Sequence, residues 1–130
     1  MTKGIEIPVA IGELIDKISI LEIKIDRFAD VIKTRNARTE LDLLVGCRDR
    51  SIAPSETLSA LSSRLKEVNG RIWDLEDAIR DCERRSDFGV AFVTVARRIY
   101  HANDERAAIK REINLVAGSN LIEEKSYAPY

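Results

Sequence analysis

The charged side chain that fits its predicted surroundings least well is Arg106. It occupies a position in the apolar stripe of a predicted helix, one turn after the small Ala102. A guanidinium at such a position needs a carboxylate or an anion, because burying an unpaired charge is strongly unfavourable. Two interpretations are open. Arg106 belongs either to a polar layer that sets helix register by pairing with an acid of the first helix such as Glu22, or to a pocket for an anionic, phosphorylated metabolite.

The pocket interpretation brings in polar side chains from three parts of the chain. The helix that carries Arg106 presents a face rich in hydrogen-bond donors, the first helix begins with acidic residues and a lysine, and the C-terminal tail carries further charges. If these groups converge in one cleft, they favour a ligand site, and if they scatter they do not. The predicted ligand-binding residues are Glu13, Asp16, Lys17, Tyr100, Asn103, Arg106, Lys110, Glu124 and Lys125.

Other patterns of chemical interest are weak. His101 is the only histidine, and no serine or cysteine nucleophile pattern accompanies it, so a catalytic triad has no support. The chain has no Gly-rich phosphate loop, dinucleotide fingerprint or HExxH motif. Two acidic helices can together hold Mg²⁺ and a diphosphate, and the acidic residues here are Glu13 and Asp16 on the first helix and Asp74, Asp77 and Asp81 on the second. The heptad positions of the three aspartates on the second helix favour a solvated face instead. We therefore predict no catalytic residue, no metal and no cofactor.

The elements that must position these residues are long helices. Apolar residues recur at alternating spacings of three and four, which is the pattern of a heptad seam, meaning the stripe of apolar positions that faces a neighbouring helix. The pattern predicts a first helix over about residues 11–45, kinked or broken near 34–39 where its phase slips. A loop follows from Gly46, and further helices are predicted over about 55–85 and 87–117, the last capped by Ser86 or Asp87.

Both ends of the chain lie outside these helices. Residues 4–9 alternate apolar and polar side chains, which predicts a short extended N-terminal arm. Gly118 is placed to cap the last helix, and a tail over residues 118–130 follows it. Leu121, Ile122 and Tyr127 could dock this tail on the helices, whereas its charges suit a solvated terminus equally well.

The predicted fold class is all-α, a single domain over residues 1–130. Short connections make neighbouring helices antiparallel, so the unit is a long antiparallel helical hairpin or a three-helix, coiled-coil-like bundle. Such rods bury only their seams, and the first helix is apolar on several sides. We therefore expect a homo-oligomer with an interface that includes Ile18, Ile20, Leu21, Ile23, Ile25, Leu65, Ile72 and Leu75.

Composition limits the functional classes. The chain has 130 residues, of which 45% are hydrophobic, so it is not a disordered chain. A net charge of −1 gives no reason to expect binding to nucleic acid or to an anionic membrane. No long uncharged apolar run and no signal peptide are recognisable. Cys47 and Cys82 form no CxxC or Cys/His cluster, which indicates free thiols and a cytoplasmic protein.

Several blocks together resemble an uncharacterised bacterial family, domain of unknown function 6165, over about residues 5–127. The blocks are IGELIDKISILEIK at 11–24, WDLEDAIRDCE at 73–83, NDERAAIKREIN at 103–114 and GSNLIEEKSY at 118–127. Members of that family often carry Ser where this chain has Ala10, so the resemblance implies that a hydroxyl helix cap is missing here. It implies a helical fold and no catalytic residues.

Two functions from different classes remain open at this point. The first is a homo-oligomeric interaction or scaffold protein, with a protein partner on its polar surface. The alternative is a small all-helical enzyme or a binding protein for an anionic metabolite. The helical chorismate mutases share the order of helices, but they aim several basic residues into the bundle. Here Arg35 lies where the seam slips, and Lys24 and Arg27 lie off it.

Overall fold

The computed structural model describes residues 3–130, which form four helices and no strand. The helices are α1 (Ile11–Arg27), α2 (Val31–Ser51), α3 (Glu56–Arg84) and α4 (Val90–Ala117). The all-α prediction is confirmed, whereas the described residues form four helices instead of the three expected. None of the described helices combines the length and the apolar character that crossing a membrane requires.

The predicted first helix is two helices, and the break lies at residues 28–30 instead of 34–39. Asp30 begins α2, because its carboxylate accepts hydrogen bonds from the backbone amides of Ile32 at 2.8 Å and Lys33 at 2.9 Å. The bond from Lys33 is the main cause of a lowered pKa of Asp30. The apolar spacing continues from Phe28 to Ile32 across this break, so it does not reveal the break, although Ile32 is exposed in the structure. α2 also continues past Gly46, where the loop is expected to begin.

The connection between α3 and α4 also differs from its prediction. Neither Ser86 nor Asp87 caps α4, which begins at Val90 after Gly89. The carboxylate of Asp87 instead accepts a hydrogen bond from the Gly89 amide at 3.1 Å, within the turn. At the other end, Gly118 ends α4 in the left-handed conformation (φ 70°), as its position predicts.

α1 is the central helix, and it is covered on two sides. On one side it packs against α3 and α4, and on the other against α2. Apolar clusters fill both contacts, the first including Ile15, Leu65 and Ile109, and the second including Ile18 and Leu41. This arrangement explains why α1 is apolar on several sides, since a helix between two layers buries more than one stripe.

α3 and α4 run antiparallel and extend well beyond α1. Arg71 pairs with Glu105 at 2.9 Å, and Arg27 at the end of α1 pairs with Asp74. α3 continues from Asp74 to Arg84, a further rise of about 15 Å. We call residues 75–99 the distal hairpin. Cys82 is its one buried residue, as its place in the apolar stripe predicts.

Candidate functional site

A buried carboxylate organises the contact between α1, α3 and α4. The Asp16 residue is 1% exposed, and its carboxylate accepts hydrogen bonds from Nε of Arg106 at 3.1 Å and from Nη2 at 2.5 Å. Asn69 donates a third bond from Nδ2 at 2.8 Å. The predicted pairing of Arg106 with an acid of the first helix is therefore present, but the acid is Asp16 and not Glu22. Glu22 lies on another side of α1 and faces Lys66 at 3.8 Å.

Two residues of this network were missed at the sequence level. Ser19 donates from its hydroxyl to the backbone oxygen of Asp16 at 2.8 Å and accepts from Asn69 at 2.7 Å. Ser19 follows Ile18 and Asn69 follows Val68, so each lies beside a residue of an apolar seam. A position beside a seam can be buried or exposed, so the sequence does not indicate which. In the described chain every buried side-chain nitrogen or oxygen has a hydrogen-bond partner. The network is thus satisfied, as a buried ion pair requires.

Lys110 connects this network to the surface. Its Nζ lies 2.6 Å from Glu13, 3.7 Å from Asp16 and 3.4 Å from Glu123 of the tail. Burial acts to lower the pKa of Lys110, but the bond to Glu13 and the surrounding carboxylates outweigh it and raise that pKa. The bond to Asp16 likewise raises the pKa of Arg106. Both side chains are therefore cations throughout the physiological pH range.

A cleft of about 650 Å³ lies between α4, the first turn of α1 and the tail. Six of the nine predicted ligand-binding residues line it: Glu13, Tyr100, Asn103, Arg106, Lys110 and Lys125. Asp16 lies behind the cleft and holds Arg106, while Lys17 lies outside it, 3.8 Å from Glu13. Glu124 faces Arg111 at 2.8 Å, in a neighbouring cleft. The predicted groups thus converge on one region.

The tail docks through polar contacts and not through its apolar residues. Glu123 and Glu124 reach α4 as described above, and the Tyr130 hydroxyl lies 3.2 Å from Nδ1 of His101 and within hydrogen-bond distance of Asp104. The bond to Asp104 raises the pKa of Tyr130 to about 12. The apolar side chains that the sequence offers for docking are exposed: Leu121, Ile122 and Tyr127.

The start of α1 depends on the end of α4. Ala10 has no side chain to cap the helix, and the first two amides are capped from elsewhere. The amide of Ile11 donates to Oγ of Ser119 at 3.1 Å, and that of Gly12 donates to Oδ1 of Asn114 at 2.7 Å. A Cβ at Gly12 would lie 2.4 Å from the carbonyl oxygen of Lys110, so the close approach requires glycine. Asn114 and Ser119 therefore cap the start of α1.

Several other candidate residues lie away from the cleft. Asp74 pairs with Arg27 at the end of the contact between α3 and α1, and Asp77 and Asp81 stand beyond that contact. Asp81 pairs with Arg84 and Arg85. Among residues 3–130, no three histidine, cysteine, aspartate or glutamate side chains converge in a way that suits a metal ion.

The eight residues expected at an oligomer interface divide into two groups. Four are buried inside the single chain, where they fill its own core: Ile18, Leu21, Ile23 and Leu65. The other four are partly exposed: Ile20, Ile25, Ile72 and Leu75. A second copy of the chain would have to use the latter group or other surfaces.

Comparison with known proteins gives one finding about family. The model of the Family of unknown function (DUF6165) matches residues 5–130. No curated protein sequence and no solved structure matches the chain.

Proposed function

The chain belongs to the Family of unknown function (DUF6165), a description that carries no activity, and we propose from the geometry that it binds an anionic, phosphorylated small molecule. The binding site is the cleft between α4 and the tail. The observation that supports this proposal is the convergence of six predicted polar residues, from both ends of the chain, on one cleft. Charged and aromatic groups that meet in a concave site are typical of ligand binding.

Arg106 and Lys125 are the cations best placed for a phosphate. Asp16 engages Nε and Nη2 of Arg106, while Nη1 has a long contact of 3.4 Å with Asn103. Asp16 therefore fixes the guanidinium plane, and Nη1 remains able to donate to a ligand oxygen. Lys125 is half exposed. Fixed guanidinium groups and mobile ammonium groups both suit phosphate oxygens.

The other end of the cleft is aromatic. Tyr100, Tyr127 and Tyr130 line it, and the Tyr100 and Tyr130 rings lie 5.4 Å apart between centroids. Tyr100 and Arg106 are six residues apart on α4, a rise of about 9 Å. This separation fits a ligand with a ring at one end and a phosphate at the other, such as a nucleotide or a sugar phosphate. Tyrosine rings provide the flat surface on which such a ring packs.

A thermal-shift screen with nucleotides and sugar phosphates tests this proposal. We expect a ligand that raises the melting temperature of the native chain and loses that effect in Lys125→Gln and Arg106→Lys. Both substitutions change the phosphate contact while Arg106→Lys keeps a cation beside Asp16. The matched control is Lys33→Gln, which removes an exposed lysine from α2. Equal stabilisation of all three variants by every ligand would contradict the proposal.

A second candidate function is a homo-oligomeric scaffold, favoured by apolar exposure at the end of the distal hairpin. Phe88, Val90 and Val93 are all at least half exposed there. Ile72 and Leu75, two of the residues expected at an interface, are partly exposed at its base. We propose that any association of two copies buries this surface, because exposed apolar patches are typical of interfaces.

Light scattering over a concentration series tests the association. We expect a dimer or larger species at tens of micromolar that Val93→Asp dissociates, since the substitution places a charge in the apolar patch. Leu115→Asp is the matched control, because Leu115 is also at least half exposed on α4 but lies at its opposite end. A monomer at all concentrations would exclude this second function.

A further inference from the structure

Two acidic residues of the tail contact two neighbouring cations of α4. Oε2 of Glu123 lies 3.4 Å from Nζ of Lys110, and Oε1 of Glu124 lies 2.8 Å from Nη1 of Arg111. A cleft of about 300 Å³ lies beside these pairs, between the tail and the small side chains of residues 107 and 108. Tail carboxylates therefore occupy a place with room for a larger anion.

We propose that Lys110 and Arg111 form a diphosphate subsite that the tail carboxylates occupy when no ligand is bound. A ligand's diphosphate enters by exchange with Glu123 and Glu124, which then leave α4. This inference rests on the proposed function, because Lys110 also lines the larger cleft. It adds two statements that binding in the larger cleft alone does not imply: the ligand carries a diphosphate, and Glu123 and Glu124 of the tail compete with it.

The balance of charge supports this exchange. With the tail docked, four cations face four carboxylates in this region: Arg106, Lys110, Arg111 and Lys125 against Glu13, Asp16, Glu123 and Glu124. When the carboxylates of Glu123 and Glu124 leave α4 while residues 125–130 stay at the larger cleft, the four cations face only Glu13 and Asp16. The region is therefore neutral when closed and positive when open. An anion is attracted to the open form, and Glu123 and Glu124 supply the compensating charge while it is absent.

The contacts that hold the tail suit a reversible exchange. Its residues 121–130 are all exposed, and the acidic side chains reach α4 at the surface, where water screens their charges. Lys110 differs from the tail, because its side chain is only 12% exposed and it is held by Glu13 of α1. Lys110 thus keeps its position when Glu123 and Glu124 leave α4. A diphosphate carries more charge than two carboxylates and competes for both cations.

Calorimetric titration of the full chain with inorganic pyrophosphate at low ionic strength tests the subsite. In Glu123→Gln/Glu124→Gln we expect about tenfold tighter binding than in the native chain, because the competing charges are gone. Arg111→Gln should abolish this gain. The matched control is Glu105→Gln/Glu112→Gln, which removes the same charge from α4 at residues that pair with α3. We expect its affinity to stay within about twofold of the native value.

Equal tightening in the test and control variants would overturn the subsite, since the effect would then reflect net charge alone. Unchanged affinity in Glu123→Gln/Glu124→Gln would overturn it as well. The NMR chemical shifts of the backbone amides of Glu123 and Glu124 provide a second readout. If pyrophosphate displaces these residues, both chemical shifts should move toward the values of an undocked segment. Signals that stay fixed at saturation would contradict displacement.

Failure of the subsite and failure of the proposed function give different results. If ligand binding depends on Lys125 and not on Arg111, the larger cleft binds ligand and the subsite is wrong. If pyrophosphate binding depends on Arg111 and every ring-bearing phosphate is indifferent to Lys125, the subsite stands and the proposed function is wrong. All of these substituted side chains are exposed, so circular dichroism should show native helix content in each variant.

Discussion

The two halves of the α3–α4 hairpin differ in what covers them. Where α1 lies against α3 and α4, the chain buries a carboxylate, an amide and a hydroxyl, and Leu65 and Ile113 become inaccessible to solvent. In the distal hairpin, two helices pack without a third, and Cys82 is the one buried residue. A third helix is therefore what allows a charged pair to be enclosed and satisfied. The distal half has no such enclosure, and its polar groups remain at the surface.

Among the substitutions that compare the two halves, removal of the Arg106 guanidinium should lower the free energy of unfolding most. Arg106→Met leaves the charge of Asp16 buried and unpaired, so we expect a loss of about 3–5 kcal/mol in the free energy of unfolding. Arg98→Met, an exposed site in the distal hairpin, should change it by less than about 0.5 kcal/mol. Urea denaturation measures both. Similar losses in the two variants would show that the Asp16 pair does not distinguish the halves. The double variant Asp16→Asn/Arg106→Met should recover part of the loss.

The same truncation at two positions of α3 compares the halves directly. Leu65→Ala empties a fully enclosed site, and we expect a cost of about 2–5 kcal/mol. Leu75→Ala, ten residues further along the helix, removes a side chain that water already reaches, and should cost less than about 2 kcal/mol. Unfolding midpoints in denaturant give both values. Equal costs would indicate that the distal hairpin is covered in solution, for example by a second copy.

Gly12 and Gly70 should respond to alanine with opposite signs. In Gly12→Ala the new Cβ would meet the Lys110 backbone oxygen at 2.4 Å, so α1 must move away from α4 at a cost of about 1–3 kcal/mol. In Gly70→Ala the nearest atom is the end of the Arg27 side chain at 3.9 Å. That variant should gain up to about 1 kcal/mol from helix propensity. Thermal unfolding distinguishes the two outcomes, and a stable Gly12→Ala would contradict the close approach.

The smallest effect concerns the pH dependence of tail docking. The hydrogen bond from Lys125 and the charge of Lys110 lower the pKa of Glu123 below its ordinary value of 4.5. Lys125 belongs to the tail, so it is the contact with Lys110 of α4 that makes docking favour the ionised carboxylate. This contribution is complete above pH 4.5 and is lost as the pH falls through the lowered pKa. As the pH falls below 4.5, the NMR chemical shifts of the Lys125 and Ser126 amides should move toward the values of an undocked tail. Glu123→Gln should remove the transition, and its persistence would assign it to another group.

The sequence predicted the helical class, because the helical period of apolar residues is a local pattern. It also named six polar residues that line the cleft, but local spacing left open whether they converge. It placed the first break too late, because Asp30 caps α2 within an apolar pattern that continues past it. It paired Arg106 with the wrong acid, since Asp16 and Glu22 both lie on α1 and only their faces differ. The contact of Gly12 with α4 joins residues about 100 apart, and no local pattern reports such a contact.

Because Asn114 and Ser119 cap α1, the capping contacts of α1 form only after the end of α4 has been synthesised. The partners of Asp16 and Ile11 lie 53 to 108 residues further along the chain. α1 and α2 leave the ribosome first and can pair through apolar contacts alone, while the carboxylate of Asp16 stays in water. A chain that stops before Arg106 would leave that carboxylate without its guanidinium. The docking of α1 is thus completed only after Asn114 and Ser119 have been synthesised.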